Sequence, residues 1–156
     1  MSSALLFTLL FFVLFYFYLR LKNQKTAMIN QEQGAHFLDD NAKREGVITT
    51  DSGLQYEVLQ KGPGGKMPKV HDIVRVHYHG QLINGTVFDS SVERGETISF
   101  GLNQVIAGWT EGLQLMEVGD KVRLFIPAAL GYGNRSIGKI PAGSVLIFDV
   151  ELFDIE

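Results

Sequence analysis

The stretch Val87-Phe88-Asp89-Ser90-Ser91 sets one carboxylate between a phenylalanine and two serines, a few residues after the turn signal Asn84-Gly85. A carboxylate so placed is a candidate general base, nucleophile, cap or hydrogen-bond acceptor. Proton transfer needs a second titrating group within hydrogen-bond reach, and this segment offers neither a second carboxylate nor an imidazole. The chain has no cysteine, which removes disulfides, thiolate nucleophiles and cysteine-ligated metals and leaves the redox compartment unread. His77 and His79 flank Tyr78 at the spacing of a metal pair, yet only His71 lies nearby to add a ligand. Two imidazoles on a solvated strand face is the simpler reading, and no metal or cofactor is expected.

Two other motifs fail on context. Gly133 to Lys139 matches the first seven positions of a phosphate-cradling loop, but Ile140 stands where a magnesium-binding hydroxyl belongs and Pro141 follows where a helix should start. Gly131-Tyr132-Gly133 has the letters of a potassium filter, without the several spanning segments that a filter needs. What the chain does supply is aromatic surface. Tyr78, Phe88, Trp109, Tyr132 and Phe148 come from five separate segments, each near a strand or loop end, and together exceed what a small core requires. Taken singly, each is as well explained as a core residue.

The elements that position these residues are short. From Val47 onward, alternating runs broken by Gly, Pro, Asn and Asp read as strands and turns. Leu54, Tyr56 and Val58 share one face; so do Val74, Val76 and Tyr78, with Arg75, His77 and His79 opposite. The same alternation turns inward Ile98 and Phe100, then Val122, Leu124 and Ile126, then Leu146, Phe148, Val150 and Leu152. Trp109, Leu113 and Met116 form one helical stripe that Gly119 closes. The pattern predicts an α+β domain over residues 47–156, with about five antiparallel strands curved around one short helix.

Ahead of this domain, Ala4 to Leu19 has Thr8 as its only clearly polar side chain, and no charge occurs before Arg20. That length is near the minimum for a helix spanning a bilayer. Tyr16 and Tyr18 sit at its end, followed by Arg20, Lys22 and Lys25, as at a membrane interface. A cleaved signal peptide fits less well, lacking a basic start and a small-x-small site, and a buried soluble helix would carry a polar face. Residues 1–21 are therefore expected to be a single-pass anchor in contact with lipid through residues 4–19. Residues 22–46 read as a polar connector, partly helical, with Ala35, Leu38 and Ala42 on one face and Gly46 as its stop. The positive flank after the apolar run places the domain on the cytoplasmic side. With 13 Asp/Glu against 9 Lys/Arg, residues 46–156 carry a net charge of −4, which excludes nucleic acid as a partner.

The ordered series VHYHGQLINGTVFDSS, VIAGWTEGLQLMEVGDK, GYGNRSIGKIP and LIFDVELFDIE resembles the FKBP-type (tacrolimus-binding) peptidyl-prolyl cis-trans isomerases from about Gly53 to the C-terminus. The preceding FLDDNAKREGVITTDSGLQYEVL is similar to the bacterial macrophage-infectivity-potentiator type, whose long helical dimerisation arm is expected to be absent here. The resemblance implies an FKBP-like fold and isomerisation of Xaa-Pro bonds in client polypeptides, with tacrolimus- and rapamycin-type macrolides as further ligands. It implies a pocket of Tyr78, Phe88, Asp89, Val105, Ile106, Trp109, Tyr132 and Phe148, floored by Trp109, with Ile98 in a wall position where many members carry phenylalanine. The loop from Gly133 to Ile140 is slightly shorter than in the best-known eukaryotic members. It also implies a periplasmic or surface location for the domain, against the charge bias of the anchor, which is itself expected in a bacterial inner membrane. The alternative to an enzyme is a membrane-tethered chaperone that holds proline segments with little catalysis.

Overall fold

A computed structural model describes residues 3 to 156, so the first two residues of the expected anchor lie outside the described residues. Helix α1, Ser3–Asn41, runs 39 residues without a break. The expected anchor and the expected polar connector are thus one helix: no proline occurs in it, and its single glycine is Gly34. It contains a stretch long and apolar enough to cross a membrane, none of it buried against the domain. The face of α1 that meets the domain corrects the expected one. Ala35 and Ala42 are exposed, whereas Ala27, Gly34 and Asn41, seven residues apart, are the buried positions. Gly46 lies five residues beyond the helix end in a left-handed conformation, φ 87°.

Small residues decide that contact. A Cβ on Gly34 would come within 2.7 Å of Val145 Cγ2, and Gly143, at φ 76°, brings its backbone against that of Ala27. Asn30 Nδ2 donates to Ala142 O (2.8 Å), Asn23 Nδ2 to Asn134 O (3.1 Å) and Gln31 Nε2 to Asn134 Oδ1 (2.6 Å). At the helix end, buried Asn41 donates to Gln55 Oε1 at 2.8 Å, and Gln55 donates back to Leu38 O at 2.8 Å.

The sheet has seven antiparallel strands rather than five: β1 Val47–Thr49, β2 Gln55–Gln60, β3 Ile73–Leu82, β4 Val87–Ser90, β5 Ile98–Gly101, β6 Lys121–Ile126 and β7 Leu146–Ile155. Their order is β1-β2-β6-β7-β3-β4, with β5 also pairing with β3. The added strands are β1, of three residues, and β4, whose four residues are interrupted by a bulge against β3, so neither registers as an alternating pattern. Strands β3 and β7 form the centre, paired from Val74↔Ile155 to Leu82↔Leu146. Their inner faces are as the alternation requires: Val74, Val76, Tyr78, Leu146, Phe148, Val150 and Leu152 are buried. Val58, by contrast, is exposed, next to a register shift that separates Val58 from Gln60 against β6. Besides the four-residue helix α2, Ser91–Arg94, the domain has one α-helix, α3, Ala107–Leu113. Trp109, Leu113 and Met116 pack from α3 and the turn after it into the core. Gly108 and Gly112 let α3 lie on β6, since a Cβ there would stand 2.5 Å from Ile126 Cγ2 and 2.8 Å from Leu124 Cδ1.

Candidate active site

On the concave face of the sheet, beside the start of α3, lies a cavity of about 730 Å³. Its walls include Tyr78 from β3, Phe88 and Asp89 from β4, Val105 and Ile106 before α3, Trp109 on α3, Tyr132 in the loop after β6, and Phe148 from β7. The structure therefore brings eight of the nine expected residues together. Ile98 is the exception: it packs against the core but does not line the cavity. The wall position belongs to Phe100, two residues along the same strand face, whose ring meets Trp109 edge-to-face at 5.6 Å. Also lining it are Gln104 and the loop residues Gly131, Arg135, Ile137, Gly138, Lys139 and Ile140.

The aromatic rings support one another. Trp109 meets Tyr78 and Phe148 at 5.3 Å each, and Phe88 meets Phe148 at 5.3 Å, all near-perpendicular, the arrangement that opposes the negative face of one ring to the positive edge of the next. Gly80 makes this possible, because a Cβ there would stand 2.7 Å from both the Phe88 and the Phe148 rings. The Trp109 indole N–H is buried and has no hydrogen-bond partner among the described residues. The Ile106 N–H makes no backbone hydrogen bond among them either.

Asp89 is a hydrogen-bond acceptor with its partners in place. Tyr78 donates its hydroxyl to Asp89 Oδ2, Arg94 donates from Nη1 to Asp89 Oδ1, and Arg94 Nη2 donates to the Tyr78 oxygen at 3.1 Å. Burial pushes the Asp89 carboxyl up, but the Tyr78 and Arg94 hydrogen bonds and the guanidinium charge outweigh it and hold the carboxyl below its ordinary range. Burial, reinforced by the bond to Asp89, raises the Tyr78 phenol. The pair is thus locked as carboxylate and neutral phenol at neutral pH, poised to donate and accept hydrogen bonds rather than to shuttle a proton.

Arg94 escaped the sequence reading. Its position comes from α2: Ser90 caps the helix by accepting from Glu93 N at 3.2 Å, and Gly95 ends it with φ 71°. The legible signal was Ser90-x-x-Glu93 followed by glycine. The serines act on backbone and imidazole groups. Ser91 Oγ accepts from Tyr78 N at 2.8 Å and lies 2.9 Å from His77 Nδ1, while Ser90 Oγ lies 2.9 Å from His79 Nδ1.

Fold and site together define an α+β domain with an aromatic-walled cavity edged by a few hydrogen-bonding groups. Residues 64–153 match the model of the FKBP-type peptidyl-prolyl cis-trans isomerases, and residues 16–58 match the domain amino terminal to that isomerase. The chain belongs to the FKBP-type peptidyl-prolyl cis-trans isomerase family. It is 58% identical over 135 residues to the FKBP-type peptidyl-prolyl cis-trans isomerase FkpA of Aeromonas hydrophila, covering 86% of this chain and 50% of the relative. It is 54% identical to the FKBP-type 22 kDa peptidyl-prolyl cis-trans isomerase of Escherichia coli, covering 79% of this chain and 60% of the relative. The crystal structure of FkpA from Escherichia coli superposes with a TM-score of 0.90 at 40% identity, over 100% of this chain and 74% of that one. A second crystal structure, a peptidyl-prolyl cis-trans isomerase from Pseudomonas syringae, superposes with a TM-score of 0.77 at 31% identity, over 83% of this chain and 96% of that one. The chain spans about half the length of the curated relatives it matches. Residues 16–41 of α1 fall within the match to that amino-terminal domain.

Proposed function

We propose that this chain accelerates rotation about Xaa-Pro bonds in polypeptide clients and so assists their folding, without a covalent step. The observation that carries this is the aromatic cavity of Tyr78, Phe88, Trp109 and Phe148, which has the shape and polarity for a proline ring. Peptide rotation faces a barrier of about 18 to 20 kcal/mol from amide resonance, and Xaa-Pro bonds exchange over tens to hundreds of seconds. Twisting breaks the conjugation and lowers the charge separation between carbonyl oxygen and nitrogen. An apolar cavity therefore disfavours the planar amide relative to the twisted one. The Ile106 N–H and the Tyr132 hydroxyl, both at the rim, hold the substrate carbonyls, while Asp89 fixes the Tyr78 ring as one wall. Tacrolimus- and rapamycin-type macrolides are the small-molecule class for the same cavity.

A protease-coupled assay on a Xaa-Pro peptide tests this. Phe88→Ala is expected to lower kcat/KM at least roughly tenfold, about 1.4 kcal/mol of transition-state stabilisation. A folded chain that binds proline peptides yet leaves isomerisation at the uncatalysed rate would make it a holding module instead.

The apolar part of α1 is the membrane element in this reading, a single-pass anchor in a bacterial inner membrane contacting lipid through residues 4–19. Its length and its interfacial Tyr16, Tyr18, Arg20 and Lys22 support that. Reporters active on only one side of the membrane, fused after Glu156, determine which side the domain occupies.

A further inference from the structure

The loop that edges the cavity is also the part of the domain nearest the apolar end of α1. Asn134 takes hydrogen bonds from Asn23 and Gln31, and Asn23 is four residues, about 6 Å of helix rise, beyond Leu19, where the apolar run ends. Between loop and helix runs a groove of about 810 Å³, lined by Tyr16, Leu19, Arg20 and Lys22 on one side and by Arg135 and Ile137 on the other. Arg135 and Ile137 also line the aromatic cavity, so groove and cavity share a wall.

The charge here runs against the rest of the domain. No Asp or Glu occurs from Met1 to Gln31 or from Lys121 to Phe148, although residues 46–156 carry a net charge of −4, 13 Asp/Glu against 9 Lys/Arg. Among the described residues Arg20, Lys22, Lys25, Arg135 and Lys139 form no ion pair, and neither do Lys66, Lys69 and Lys121 elsewhere in the domain, whereas Lys43, Arg44, Lys61, Arg75, Arg94 and Arg123 all do. Unpaired cations from two segments therefore gather where an apolar helix would emerge from lipid. Beside them are an apolar side chain and a tyrosine, the pairing of surfaces that a phospholipid presents at its headgroup boundary.

We propose that this groove and the Arg135–Lys139 loop form a docking surface for anionic phospholipid headgroups, which seats the mouth of the cavity on the bilayer. The inference rests on the membrane reading of α1. Its consequence is a restriction on clients: the prolyl bonds served are those in chain segments held at the membrane surface. The same loop that edges the substrate cavity is then ordered by lipid.

Absence of native cysteine allows single fluorescent labels at Val13→Cys, Ser136→Cys and Asp40→Cys in the full chain. Each is placed in nanodiscs of phosphatidylcholine alone or with about 30% phosphatidylglycerol, carrying spin-labelled quencher lipids. The expected result is quenching of position 13 by acyl-chain quenchers in both discs. Position 136 is quenched by headgroup quenchers roughly twofold or more in excess in the anionic discs, and position 40 is spared. Arg135→Gln with Lys139→Gln, and separately Arg20→Gln with Lys22→Gln, should each remove at least about half of that excess while position 13 stays quenched. If position 13 is unquenched, the membrane reading and this inference both fall. If position 13 is quenched but position 136 is not, or is quenched equally in both discs, the inference alone falls. Loss of the excess on adding inorganic phosphate would assign the groove to a free anion and overturn the lipid proposal.

Discussion

Asp89→Val is the perturbation that separates a wall acceptor from a proton-transfer group. In the native site Asp89 accepts from the Tyr78 hydroxyl and from Arg94. The ion pair is weak by itself, because the side chains of Arg94 and Asp89 are 46% and 44% exposed, and such pairs contribute at most about 1 kcal/mol. The bond from Tyr78, whose residue is only 5% exposed, is worth more, about 1.5 to 3 kcal/mol for a hydrogen bond to a charged group. Part of that returns in the variant, since the Tyr78 side chain lines the open cavity, where water can accept from its hydroxyl, and it keeps the bond from Arg94 Nη2. A net loss of about 1.4 to 2 kcal/mol is expected, with kcat/KM down at least roughly tenfold. Tyr78→Phe and the Asp89→Val/Tyr78→Phe double variant complete a cycle. If Asp89 works by holding the Tyr78 ring, the double variant is no slower than the slower single, a coupling of about 1 kcal/mol or more. Strict additivity would mean that Asp89 meets the substrate independently of Tyr78. Unchanged kcat/KM in a folded Asp89→Val chain, with near-native ellipticity from the single Trp109, would refute the role of Asp89 altogether.

The rate of isomerisation is expected to be flat between pH 6 and 8, where among unperturbed side chains only histidine titrates, because His71, His77 and His79 are absent from the cavity lining; a bell-shaped profile there would restore proton transfer. In acid the sign is set by Asp89 and Asp120, both held below the ordinary carboxylate range. Their stabilisation is complete above the unfolded-state value, about 3.9, and is lost as pH falls through the depressed folded values, so chemical denaturation at pH 3 should show a lower midpoint than at pH 6. Asp120→Ala should cost about 2 to 4 kcal/mol, read from the same midpoint, because the buried carboxylate accepts from Gly62 N at 2.8 Å and Glu117 N at 2.9 Å and its loss strands both donors. Gly34→Leu should undock α1 from the Gly143–Val145 turn, seen as faster hydrogen exchange across residues 134–145 with the strand core unchanged.

Much of this architecture is legible because β3 alternates cleanly over its ten residues and β7 does so from Phe148 to Leu152, and alternation with one buried face fixes which side chains point in. It does not fix register, and that is why Ile98 and Phe100 could not be ranked. Both lie on the inner face of β5, and only the pairing of Ile98 with Val76 and of Phe100 with Val74 shows which of them reaches Trp109. Strand β1 is too short to alternate, and β4 carries a bulge against β3 between Gly80 and Gln81. The docking face of α1 escaped for a different reason. Gly34 and Asn41 carry no apolar side chain for a search of apolar periodicity to register, and the alanines that it does register, Ala35 and Ala42, are exposed. Arg94 looks like an exposed helix-end cation until the cap at Ser90 and the turn at Gly95 fold it back over the Tyr78 ring, 5.9 Å from its centre.

The cavity itself follows from a mismatch of lengths. Helix α3 has seven residues, about 10 Å of rise, and it covers central strands of ten residues, about 33 Å, so one end of the concave face has no helix above it. At the covered end Leu113 and Met116 fill the space completely, both with no exposure. At the other end the side chains are rings, and perpendicular rings at 5.3 Å brace one another rather than collapse into the gap. Aliphatic residues in those positions would repack to close it, as cores generally do. Trp109 belongs to both regions: it is the first large residue of α3, and its indole N–H has no partner among the described residues. Leaving a buried donor unpaired costs about 1 to 3 kcal/mol, a cost that a site kept open for a ligand can carry and a closed core would have no reason to retain. The aromatic surplus in the sequence is therefore the reason the fold keeps a hole, and under the proposed function that hole is where an amide loses its planarity.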